Sequence, residues 1–206
     1  MFPVGSYEHF VQEIKNRENP DVPVTFGLLI ADCRQQAGKQ YILNYLERFH
    51  HLSGEYINFY LPGYLNDSFF SSNDKITVNN KDYYFDFEFY NSFLEQLEKD
   101  FNIKYPYSPV LYLIEYSKGN FKFSKSIRFD LDTDTTDIRK VGELFEVIFK
   151  IAHANVDIEE FKKEIWIKLL KKNLIDDIVT LIDNKYLSFI VKKSQELNSY
   201  HFCKAN

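Results

Sequence analysis

Residues 30–46, IADCRQQAGKQYILNYL, bring a thiol, a guanidinium, a glycine and an ammonium group to a point where an apolar run gives way to an amphipathic one. Two chemistries and one purely structural reading fit those residue types. A cysteine at a helix N-terminus feels the helix dipole and the free N–H groups, which favour its thiolate, so Cys33 is a candidate nucleophile. Arg34 adds positive charge beside it and Asp32 opposes that effect. A lone cysteine also serves as a small buried apolar residue. The second chemistry is phosphate binding. The frame C-R-Q-Q-A-G-K-Q parallels the strand-to-helix loop G-x-x-x-x-G-K-[ST], with Gly38 and Lys39 in place. Cys33 replaces the first glycine and Gln40 the magnesium-binding hydroxyl, so the tight turn and the metal ligand are both missing. An anion held without magnesium at Gly38 and Lys39 asks for less. The third reading is a plain strand-to-helix turn, in which Gly38 eases entry to the helix and Lys39 is solvated.

Other constellations have simpler explanations. Glu47 and His50 form one E-x-x-H, whereas a di-iron bundle needs two copies and two further glutamates. Asp130, Asp132 and Asp134 alternate as in a calcium loop, but Thr135 and Val141 occupy the places of its glycine and glutamate. Capping of the following helix accounts for them. Asp86 and Glu88 alternate with aromatics in YYFDFEFY, which predicts one charged face of an edge strand, or a carboxylate pair for acid–base work. Glu115 ends the apolar run VLYLIE and could stand as the acid of a nucleotide site. No metal site is expected.

The elements that position these groups follow from periodicity. Ser6 is placed to cap a helix over SYEHFVQEIKN, and Pro20 and Pro23 end it. VTFGLLIA is a continuous apolar run, as in a strand covered on both faces. Ile42, Tyr45, Leu46 and Phe49 make a helical stripe, Gly54 stops it, and YINFYLPGY is a second strand. A strand–helix–strand unit of this kind favours a parallel pair. Residues 65–89 are predicted as an insertion or hairpin. Phe93, Leu94, Leu97 and Phe101 mark another helix. PVLYLIEY and FKFSKSIRFDL, joined by SKGN, predict an antiparallel hairpin. Val141, Leu144, Phe145, Ile148, Ile151 and Ala152 mark the helix after it. From residue 155 the pattern is helical throughout.

This order resembles the thioredoxin-like superfamily over roughly residues 6–154. There an apolar strand runs into W-C-x-x-C at a helix start, and PVTFGLLIADCRQQ resembles that part. Later a loop with a cis-proline leads into a strand, a tight turn and a strand, as in FNIKYPYSPVLYLIEYSKGNFKF. The resemblance implies an α/β fold, a mixed sheet with helices on both faces, here followed by a C-terminal helical extension over 155–206. It places Cys33 at the first cysteine and makes Pro109 the candidate cis-proline. It implies a substrate groove lined by Arg34, Gln36, Ser108 and Pro109. Asp32 stands in place of the tryptophan and Gln36 in place of the second cysteine, so dithiol exchange within the motif is not available.

Composition bounds the function. The 206 residues include 25 Lys+Arg against 30 Asp+Glu, a net charge of -5, which argues against nucleic acid as partner. Two widely spaced cysteines make no disulfide framework. MFPVGSYEHF lacks the basic flank and apolar core of a secretory signal, and no run approaches the roughly 20 apolar residues of a membrane helix. The expectation is a cytoplasmic protein away from membranes. In the extension, Phe161, Ile165, Trp166 and Leu169 form an apolar arc interleaved with lysines, more than a small core requires, and are the candidate interface. The leading expectation is therefore a non-catalytic binding or assembly subunit without cofactors, meeting a protein partner or its own copies. The alternatives are a monothiol oxidoreductase or peroxidase-like enzyme acting through Cys33, and a degenerate nucleotide binder at Gly38 and Lys39.

Overall fold

The computed structural model describes residues 2–17, 23–36, 38–39, 57–66, 74–101, 109–131, 138–152 and 158–171. The elements are β1 (Phe2–Val4), α1 (Tyr7–Arg17), β2 (Val24–Ile30), β3 (Phe59–Pro62), β4 (Tyr64–Leu65), β5 (Lys75–Val78), β6 (Lys81–Phe85), α2 (Phe87–Phe101), β7 (Val110–Ser117), β8 (Asn120–Asp130), α3 (Ile138–Ala152) and α4 (Ile158–Lys171). The predicted stripe over 40–52 and the helical patterns beyond residue 171 lie outside the described residues, as do Glu47, His50, Asp132, Asp134 and Cys203.

The protein is mixed α/β. Its main sheet has five strands in the order β1-β3-β2-β7-β8. β1 and β2 both run parallel to β3. β7 runs antiparallel to β2, from Val24 opposite Tyr116 to Ile30 opposite Val110, and β8 antiparallel to β7. Every residue of β7 is buried, which is why that run reads as continuously apolar rather than alternating. Lys118 (φ 52°) and Gly119 (φ 74°) form the two-residue turn into β8. The β7–β8 register shifts between Leu113 and Glu115.

The two sheet faces carry different partners. Phe10 of α1 meets Phe26 at 5.7 Å, Tyr60 at 5.3 Å and Phe93 of α2 at 5.4 Å, so α1 and α2 share one face. Phe59 points to the other face and meets Phe149 of α3 at 5.3 Å. Gly27 pairs with Phe59, and a Cβ there would run into the Phe59 ring. Each fully buried ring of this size contributes roughly 1.5–3 kcal/mol. Ser6 caps α1 as predicted: its hydroxyl accepts the His9 N–H at 3.2 Å.

Four features depart from the sequence-based picture. β1 precedes α1. It is a three-residue edge strand containing Pro3, and an edge is where a missing N–H is tolerated. The expected hairpin is present as β5 and β6, but β4 adds to it as a third strand, so that these strands form a separate antiparallel sheet in the order β4-β6-β5. The strand predicted through Asp86 and Glu88 stops at Phe85. The Asp86 carboxylate accepts the Phe89 N–H at 3.0 Å, so Asp86 caps α2, and Glu88 lies in its first turn. The charged strand face is thereby corrected to a capped helix start. Finally, Phe161 and Ile165 are each only 1% exposed and belong to this chain's own core with Ile158. α4 packs on α3 and β8. This much of the predicted interface arc is used internally. For Trp166 and Leu169 the structure describes the backbone, inside α4.

Candidate functional site

β2 delivers the chain to the site. After Ile30 come Ala31 (0% exposed), Asp32 (6%) and Cys33 (3%), and then Arg34 emerges. The Asp32 carboxylate organises the turn. Its Oδ1 accepts the Arg34 backbone N–H at 3.0 Å and Arg34 Nε at 3.0 Å, and its Oδ2 accepts Arg34 Nη2 at 2.7 Å. The Asp32 carbonyl accepts the Gln35 N–H at 3.1 Å. The Gln35 carbonyl accepts the Lys39 N–H at 3.0 Å, one helical turn later. Gln36, Gly38 and Lys39 carry helical backbone. Gly38 packs so closely on the turn that a Cβ would collide with the Asp32 carbonyl oxygen. That contact with the protein's own backbone accounts for the glycine.

The smaller sheet and α2 close over this turn. Tyr64 of β4, buried to 2%, hydrogen-bonds the Cys33 thiol. Lys39 Nζ donates to Asp74 Oδ1 at 2.8 Å, and the Asp74 carbonyl accepts the Phe85 N–H at 3.0 Å. The Arg34 guanidinium lies over the Phe87 ring, 3.2 Å from its centroid. The turn is thus a joint between the main sheet, the smaller sheet and the start of α2.

The electrostatics run against a reactive thiol. Burial pushes the Cys33 thiol up to about 12, and Asp74 and Asp32 add to the rise. The hydrogen bond from Tyr64 and the charge of Lys39 pull the other way without matching it. At pH 7 Cys33 is therefore held as the thiol, not as the thiolate that nucleophilic chemistry requires. Burial likewise pushes the Tyr64 phenol up. The hydrogen bond to Asp32 holds Arg34 firmly cationic, and that to Asp74 does the same for Lys39.

The same contacts oppose a phosphate. The N–H at the start of the turn already meets the Asp32 carboxylate, and the Lys39 ammonium already meets Asp74. Glu115, the acid that the nucleotide reading would recruit, pairs in register with Thr25, at the opposite end of β2. Seven residues of strand, about 23 Å, separate that level from Asp32. Glu115 is buried instead beside Ser117, whose hydroxyl donates to it at 3.0 Å.

Pro109 is brought near the turn. The register that pairs Ile30 with Val110 carries Pro109 to the level of Ala31, two residues from Cys33. Its carbonyl accepts the Leu131 N–H at 2.7 Å. Ser108 lies outside the described residues, and with it the Ser108–Pro109 peptide bond. Among the described residues there is no group of three His, Cys, Asp or Glu side chains that could hold a metal ion. Among them, too, no helix is long and apolar enough to cross a membrane.

Tyr64, Asp74 and Phe87 were not identifiable from sequence as members of this site, since each lies about 30 to 55 positions further along the chain. The signals available in retrospect are Phe87 and Phe89, large apolar side chains that stay 38% and 40% exposed at the start of α2. No protein-family model, no curated protein and no solved structure matches this chain.

Proposed function

We propose that this chain is a thioredoxin-like scaffold acting as a non-catalytic binding or assembly subunit through protein–protein contacts. The observation that carries the reading is the closed turn at Asp32–Cys33–Arg34. Where the resemblance calls for an accessible thiolate, Cys33 is buried against Tyr64 and its thiol is pushed up to about 12. Gln36 offers no second thiol. The strand order, with β1, β3 and β2 parallel and β7 and β8 antiparallel, supports the thioredoxin-like part of the proposal. So does Pro109 at the level of the turn. The tight internal use of Arg34, Lys39 and Asp32 supports a structural role for residues that would otherwise line a groove or hold an anion.

Light scattering of the purified chain from low to high micromolar concentration tests the assembly part, side by side with the Cys33→Ser variant. The proposal expects self-association, or a stable complex with a protein partner, that is unchanged in the variant. A strictly monomeric chain with no stable partner would overturn it. So would association that depends on the thiol.

A further inference from the structure

We draw no further inference here: the strongest candidate, the exposed patch formed by Phe87 and Phe89 at the start of α2 beside the Arg34 guanidinium, is a small apolar surface, and nothing in the structure shows what covers it.

Discussion

Gly38→Ala separates a glycine needed for packing from one that is merely permissive. In a helix, alanine is favoured over glycine by about 1 kcal/mol, so propensity alone predicts a more stable protein. The added Cβ would collide with the Asp32 carbonyl oxygen. That atom is backbone, held by its hydrogen bond to the Gln35 N–H, and cannot swing aside as a flexible side chain would. Overpacking a tight contact costs roughly 1–3 kcal/mol, and a backbone neighbour places this case toward the upper end. The clash wins, and the variant is expected to lose about 1–2 kcal/mol. Equilibrium urea unfolding reads the loss directly. With a slope of about 2 kcal/mol per molar urea, the midpoint should fall by about 0.5–1 M. A midpoint that stays put or rises would refute the packing of Gly38 on the turn, and with it the closed geometry of the site.

Two further outcomes follow from the same joint. Asp32→Ala removes the cap of the turn and the bidentate partner of Arg34 together, and should cost about 2 kcal/mol in the same titration. A change within 0.5 kcal/mol, roughly the range of an ordinary surface substitution, would show that the carboxylate does not organise the turn. The Cys33 thiol also gives the protein an alkaline limit. Its folded value, about 12, lies above the ~8.5 of a free cysteine, so the folded state holds the proton more tightly. The stability this contributes is complete below about pH 8.5 and is lost as pH rises toward about 12, by at most about 1.4 kcal/mol per pH unit. Unfolding curves at pH 8, 9 and 10 should show Cys33→Ala losing less stability over that range than the unaltered chain, and identical losses would contradict the burial of the thiol.

Much of the main sheet could be read from the sequence because its signals are local and strong. VTFGLLI and VLYLIEYS are continuous apolar runs, and each became a strand buried along most or all of its length. The hairpin between β7 and β8 followed from an apolar run and an alternating one on either side of Lys118 and Gly119. β1 escaped because three residues carry no periodicity, and Pro3 argues against a strand anywhere but an edge. The aromatic alternation of YYFDFEFY matched a strand as well as a helix start, and the Asp86 cap decided between them. Phe161 and Ile165 have the spacing of a docking stripe, but spacing cannot tell a partner's surface from the chain's own, and α3 and β8 supply that surface here.

The site itself was half visible. The sequence placed Asp32, Cys33, Arg34, Gly38 and Lys39 at a strand-to-helix turn, and the structure keeps them there. Their roles depend on Tyr64, Asp74 and Phe87, which approach only through the tertiary fold. The helix N-terminus promised a lowered Cys33 pKa, whereas enclosure under Tyr64 reverses the direction. Desolvation outweighs the dipole once the sulfur leaves water.

The alkylation rate of Cys33 with iodoacetamide, followed from pH 6 to pH 10 in a Cys203→Ser background, tests the closed turn most directly. A buried thiol held near 12 predicts slow modification with no plateau below pH 9, and rapid modification after denaturation. A rate that levels off with a midpoint well below the ~8.5 of a free cysteine would reveal an accessible thiolate and contradict a non-catalytic scaffold.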